Sequence, residues 1–287
     1  MSGAVSDILA LVGFVAFFTV PFAIYLLLIA FKRRQLPPAK PKGAGYRLFG
    51  PVFIGYYYWA LGPLFRFVKG TRLTPNHITY ASLVLAAITS VAIGTGHFAL
   101  AAWLIIGSGT LDILDGELAR AKRMSTARGA FLDSTVDRIC DGLYFGGLVF
   151  YYARWPMMLI VSLVVLVMSF TVSYTRTRAE ALGIMGAEGL AQRADRIALL
   201  SIAMAFSPVF GHRLEGFVPH PFYAVTAGAL VILALLNTIT AISRIVWTMN
   251  RLKDDASVSL LRMKNDASRV DVRAANDAGQ LLNQRVR

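Results

Sequence analysis

Long apolar blocks alternate along the chain with short polar, mostly basic stretches. Residues 8–31 are apolar almost throughout, long enough to cross a bilayer as a helix. Further blocks at 76–94, 98–121, 129–153, 157–181, 197–211 (with a lead-in from Gln192) and 221–250 predict six more spans. Thr74-Pro75-Asn76 is a helix-start signal, with Pro at an early position. Between the first block and the rest, residues 35–46 are rich in Pro, Lys and Gly and read as a linker. Residues 48–69 interleave aromatics with Arg66 and Lys69, the pattern of an amphipathic segment lying at the membrane surface. The tail is polar. It holds a weak eleven-residue repeat (KDDASVSLLRM, KNDASRVDVRA, ANDAGQLLNQR), which suits a helix with a constant face, either solvated or paired with another copy.

The predicted fold is therefore an all-α polytopic membrane protein. A six-helix transmembrane core (71–250) follows one extra N-terminal transmembrane helix (1–34) and a linker with an interfacial amphipathic segment (35–70). Residues 251–287 form the polar tail.

Composition agrees: 56% of the 287 residues are hydrophobic, and the mean hydropathy is +0.58. The net charge of +13 would suggest nucleic acid in a soluble protein. Here the basic residues flank apolar runs and sort by side. Arg72, Lys122, Arg123, Arg128, Arg176, Arg193 and Arg251 fall at one set of span ends, while Arg154 and Arg213 fall at the other. This is positive-inside topology with an affinity for anionic lipid, so no nucleic-acid polymer is expected as partner. The first set of ends and the C-terminus are cytoplasmic in this reading. The single cysteine, Cys140, excludes an intrachain disulfide and reads as a small core residue. The four histidines lack ligand spacing, which argues against zinc.

One stretch breaks the apolar pattern. Asp112 and Asp115 lie three residues apart and Asp133 and Asp137 four apart, spacings that put each pair on one helix face. Asp115 and Asp112 lie roughly 10 and 15 Å below the cytoplasmic end of their helix, and Asp133 and Asp137 roughly 8 and 13 Å below theirs. The pairs match in depth on sequential antiparallel helices. Acids inside a membrane are costly and mark function. Four facing one another need a cation, and all-oxygen ligation suits Mg²⁺, Mn²⁺ or Ca²⁺. Glu117 points away from the first pair. Asp141 continues the face of the second and reads as a solvated or packing acid. Gly116 and Ala119 let a bulky ligand approach the backbone, and Gly129 permits close helix contact.

These residues resemble a family signature. Asp112-x-x-Asp115-Gly116-x-x-Ala119-Arg120, eight residues, then Gly129-x-x-x-Asp133-x-x-x-Asp137 is similar to the motif of the CDP-alcohol phosphotransferases, with every fixed position present. The resemblance implies transfer of the phosphatidyl group of CDP-diacylglycerol to a small alcohol, with release of CMP. It implies that Asp112, Asp115, Asp133 and Asp137 bind two ions of Mg²⁺ or Mn²⁺, that Asp137 is also the general base, and that Asp112, Gly116, Ala119 and Arg120 contact the CDP-lipid. It further implies a homodimer in a bacterial inner membrane with its site facing the cytoplasm.

The acceptor must be read from other polar groups. Ser173-Tyr174-Thr175-Arg176 ends one span, Gln192-Arg193-Ala194-Asp195-Arg196 opens the next, and Arg244 lies within the last. Arginines converging on one cavity suggest a phosphorylated acceptor held by Arg176, Arg193, Arg196 and Arg244. These segments resemble the phosphatidylinositol-phosphate synthase branch, which implies inositol phosphate. Gln192 and Asp195 stand where that branch would have glutamates, and Arg176 where it would have lysine. Phosphatidylglycerophosphate synthase is the alternative, followed by an acceptor such as free inositol. Two other classes are a cation transporter and an inactive scaffold. The Gly116 and Arg120 spacing and the absence of paired broken helices argue against the transporter.

Overall fold

The computed structural model describes residues 2–31, 50–184, 192–215 and 220–253. The linker at 35–46 and the repeats of the tail lie outside the described residues. Among the described residues eight helices follow in order: α1 (Ser2–Ala30), α2 (Gly50–Gly70), α3 (Pro75–Gly94), α4 (Phe98–Ala121), α5 (Ala127–Tyr151), α6 (Pro156–Ala181), α7 (Arg193–Glu215) and α8 (Ala224–Lys253). A short 3-10 turn, Tyr152–Arg154, joins α5 to α6. No strand occurs among the described residues. The protein is an all-α polytopic membrane protein.

Among the described residues six helices are long and apolar enough to cross a membrane: α1, α3, α4, α6, α7 and α8. At 25 residues α5 matches them in length, but it carries Arg128, Asp133, Asp137, Arg138 and Asp141. Its charged stripe is what separates it from the other spans. Helix boundaries follow local chemistry. Thr74 is extended and precedes Pro75 at the first turn of α3. Thr126 caps α5 by accepting from the Gly129 amide at 3.0 Å, so that helix starts two residues earlier than its apolar pattern. The predicted start of the last span at 221 moves to 224, because Tyr223 takes a positive φ of 53°.

The chain divides into two compact units. The first spans Met1–Tyr174 and Gly189–Ala241. In it α3 packs on α4 and α5, and α4 packs on α7. Ile93, Phe98, Ile105, Phe145, Leu148, Leu200, Met204 and Leu230 form its core. Aromatics gather where α4 begins and α5 ends: Phe98, Tyr151 and Tyr223 lie within 5.8 Å of one another by ring centroid, and the Tyr151 hydroxyl donates to the Pro221 carbonyl. The catalytic-type acids sit toward the other ends of α4 and α5. There, Lys122 Nζ ties the end of α4 to the chain before α3, donating to the carbonyls of Thr71 and Leu73 at 2.8 and 2.9 Å.

The N-terminal helix is integrated rather than loosely attached. α1 packs on α7, α2 and α4. The rings of Phe14 and Phe17 each lie 5.2 Å from that of Trp103 on α4, and Tyr56 of α2 donates to the Phe18 carbonyl at 3.0 Å. Edge-to-face aromatic contacts of this kind hold helices together without a hydrophobic driving force.

Close packing of α3 on α5 depends on Gly147. A Cβ there would come within 2.8 Å of the Ser90 carbonyl oxygen and 3.1 Å of Ile93. The obstacle is backbone, so the helices must separate. Gly147→Ala is expected to cost about 1–3 kcal/mol, visible as a lower melting temperature in detergent.

The second unit, Thr175–Glu188 and Ile242–Arg287, holds the final turns of α6 and α8 among its described residues. Arg176 pairs with Glu180 at 2.9 Å across one helical turn, and the Arg251 guanidinium lies 5.5 Å from the Trp247 ring centre.

Candidate active site

Two helical stripes build the site. On α4, Gly116 follows Asp112 by four residues, and Ala119 and Arg120 follow Gly116 by three and four, so all lie toward one face. On α5, Asp133, Asp137 and Asp141 recur every four residues. Carboxylate oxygens of Asp112, Asp133 and Asp137 lie within 4.8 Å of one another, and all three residues are half-buried. Three convergent hard oxygen donors at this spacing fit a divalent cation such as Mg²⁺ or Mn²⁺.

Asp115 adjoins that trio from the α3 side. It is buried, and Thr79 of α3 donates to its Oδ2 at 2.5 Å. Leu118, one turn on, is fully buried beside it in the α3–α4 contact. The fourth motif acid thus belongs to the face of α4 that meets α3. Arg120 is exposed and pairs with Glu117 at 2.9 Å. Its guanidinium lies over Gly116, 3.6 Å from where a Cβ would stand. Gly129 sits against the start of α3, where a Cβ would lie 4.0 Å from Asn76 Oδ1. Ala119 is half-buried on the same stripe as Asp112.

Arg193, the first residue of α7, reaches into the acids. Its Nη1 lies 2.7 Å from Asp137 Oδ1 and 3.2 Å from Asp112 Oδ2, and its Nε donates to Asp141 Oδ1 at 2.9 Å. Arg196, one turn along, is buried with Nη2 3.6 Å from Asp141 Oδ2. Arg193 therefore lies beside the trio, and Arg196 is linked to it through Asp141. Arg176 and Arg244 fall in the second unit, Arg244 buried and Arg176 exposed. Asp141 is not a solvated acid: it is buried and ion-paired to Arg193 and Arg196 in the first turn of α7. Tyr57 of α2 reaches α4 two residues before Asp112, its hydroxyl 3.1 Å from Thr110 Oγ1. Burial pushes the Tyr57 phenol above its usual range, so it stays protonated.

The contacts of Asp141 and Thr79 were hidden from sequence reading. Their partners come from other helices, 52 and 36 residues away. The signal available for Asp141 was its place on the Asp133–Asp137 stripe.

The CDP-alcohol phosphatidyltransferase family model matches residues 72–249. The chain belongs to this family. An archaetidylinositol phosphate synthase of Methanothermobacter thermautotrophicus is 35% identical over 181 residues, covering 63% of this chain and 86% of that protein. A phosphatidylinositol phosphate synthase of Mycobacteroides abscessus is 33% identical over 191 residues, covering 63% and 80%. The crystal structure of Mycobacterium tuberculosis phosphatidylinositol phosphate synthase with CDP-DAG bound superposes with a TM-score of 0.57 at 28% identity, covering 65% of this chain and 92% of that one. The same enzyme in complex with manganese and citrate gives the same TM-score.

As a CDP-alcohol phosphatidyltransferase, the protein is a membrane-integral transferase of phospholipid synthesis. α1 and α2 precede the matched region, so the aromatic docking of α1 is an addition to the family core.

Proposed function

We propose that this transferase moves the phosphatidyl group of CDP-diacylglycerol to a hydroxyl of inositol phosphate. The acceptor oxygen forms a bond to the lipid-side phosphorus, the bond from that phosphorus to the CMP oxygen breaks, and CMP leaves. The observation that carries this reading is the convergence of Asp112, Asp133 and Asp137 with Arg193 directly beside them. The names of the relatives support the acceptor.

In this reading Asp112, Asp115, Asp133 and Asp137 hold two ions of Mg²⁺ or Mn²⁺, Asp115 from the α3 side. Bound there, the ions would neutralise the pyrophosphate and the charge that develops on the leaving CMP. Asp137 takes the proton of the attacking hydroxyl. Gly116 and Ala119 leave room for the CDP moiety, which Arg120 contacts at the exposed rim. Arg193 binds the acceptor's phosphate through charge-assisted hydrogen bonds. The parallel assignment of Arg176, Arg196 and Arg244 rests on sequence position alone. The basic residues Lys122, Arg123 and Arg128 at the acid-bearing ends of α4 and α5 support a cytoplasmic site in a bacterial inner membrane. We also propose a homodimer, which light scattering in detergent checks.

The deciding experiment is a panel. Purified protein with CDP-diacylglycerol and Mn²⁺ or Mg²⁺ is offered inositol phosphate, glycerol 3-phosphate, inositol or serine, and CMP is measured. Inositol phosphate is expected to give the fastest release, abolished by EDTA. Preference for glycerol 3-phosphate would replace the acceptor assignment, and no CMP from any acceptor would defeat the transferase reading.

A further inference from the structure

Asp141 has no part in the transfer as proposed, yet it is only 5% exposed and carries two ion pairs. Its Oδ1 accepts from Arg193 Nε at 2.9 Å, and its Oδ2 lies 3.6 Å from Arg196 Nη2. Arg196, 2% exposed, donates from Nη1 to Asn237 Oδ1 of α8 at 3.4 Å. Asn237 Nδ2 in turn donates to Ser169 Oγ of α6 at 3.0 Å. A run of buried polar contacts thus ties α5 to α7, α8 and α6. Burying a carboxylate and a guanidinium is no better for stability than packing apolar side chains of the same volume. Packing alone gives no reason for the pair.

The geometry of Arg193 supplies one. Its Nε is held by Asp141 and its Nη2 donates to the Asp137 carbonyl at 3.4 Å, whereas the carboxylates of Asp112 and Asp137 are met by Nη1. Nη1 can therefore exchange those carboxylates for another anion while Nε stays in place. We propose that Asp141 is a positioning residue for Arg193: it holds the guanidinium by Nε and aims its Nη1 at the phosphate of the acceptor, with the Arg196–Asn237–Ser169 strut keeping Asp141 fixed. This rests on the reading of Arg193 as an acceptor-phosphate ligand.

The test uses the full-length protein and Asp141→Asn, which keeps the shape and removes the charge. The KM for inositol phosphate is expected to rise on the order of tenfold. The KM for CDP-diacylglycerol, and the Mn²⁺ affinity of the substrate-free protein read by electron paramagnetic resonance, stay within about twofold. A merely structural role would move all three together with the melting temperature. Because Asp141 acts through Arg193, the Asp141→Asn, Arg193→Gln double variant should have the acceptor KM of Arg193→Gln alone. Asn237→Ser loosens the same strut without touching either ion pair of Asp141, and should raise the acceptor KM in the same direction by about threefold. An unmoved acceptor KM in Asp141→Asn and Asn237→Ser, additive effects in the double variant, or a tenfold loss of Mn²⁺ affinity (which would make Asp141 a metal ligand) overturns the proposal. A wild-type enzyme indifferent to the acceptor's phosphate defeats the parent reading and this inference with it. One that requires the phosphate while its KM ignores Asp141→Asn defeats this inference alone.

Discussion

Asp137→Asn is expected to lower kcat for CMP release by about 10²–10⁴-fold, the usual range for loss of a general base. The amide keeps an oxygen that can face a cation, but it has no basic lone pair able to accept the hydroxyl proton at neutral pH. The location of Asp137 favours this role over a purely electrostatic one. It is one turn from Asp133 on the stripe facing α4, with Oδ1 2.7 Å from the guanidinium that would hold the acceptor. A hydroxyl on an acceptor gripped by Arg193 is thereby brought next to the carboxylate. The measurement is single-turnover CMP release at saturating Mn²⁺, which separates proton transfer from metal binding. Asp133→Asn is the control: its deficit should shrink as Mn²⁺ is raised, whereas that of Asp137→Asn should persist. Full CMP release by Asp137→Asn would remove the base assignment.

What could be read from sequence, and what could not, follows from how each feature is encoded. The spans are written in contiguous apolar blocks, because lipid demands it residue by residue. The acid stripes on α4 and α5 are written in local spacing, because helix geometry converts intervals of three and four into a shared face. The antiparallel order of those two helices then placed Asp112, Asp133 and Asp137 at one depth. Local spacing cannot say which neighbouring helix a face meets. Asp115 lay within the same motif as Asp112, but its hydrogen bond from Thr79 of α3 has no signal in local spacing. Asp141 was visible as a same-face acid, while its partners Arg193 and Arg196 arrive on a helix that begins 52 residues later. The close approach at Gly147 left no mark in sequence either, since a glycine in a membrane helix has many ordinary uses. α1 read as an appendage because its hydropathy carries no information about Trp103, the residue its phenylalanines meet.

Arg193→Gln should have two effects of opposite sign, and their combination distinguishes its proposed role. Charge-assisted hydrogen bonds are worth about 1.5–3 kcal/mol, so loss of the guanidinium should raise the KM for inositol phosphate by about 10- to 150-fold. The CDP-diacylglycerol KM should change by no more than about threefold, because the site proposed for that substrate is the α4 stripe instead. Mn²⁺ binding to the substrate-free protein should become tighter. The guanidinium lies 2.7 and 3.2 Å from two of the three carboxylates that a cation would use, so it competes with the cation for them. Arg193→Lys separates charge from geometry. It keeps the positive charge but loses the planar fork, and the single ammonium cannot hold Asp141 and an acceptor phosphate through separate, fixed nitrogens. Its acceptor KM should therefore stay close to that of Arg193→Gln, while its Mn²⁺ affinity returns toward wild type. A lysine variant with wild-type acceptor KM would mean that charge alone recruits the acceptor. Unchanged Mn²⁺ affinity in Arg193→Gln would mean that the arginine and the cation do not share Asp112 and Asp137. If both predictions hold, the same arginine links the metal site to the acceptor site, and cation binding should tighten acceptor binding by freeing Nη1 for the phosphate.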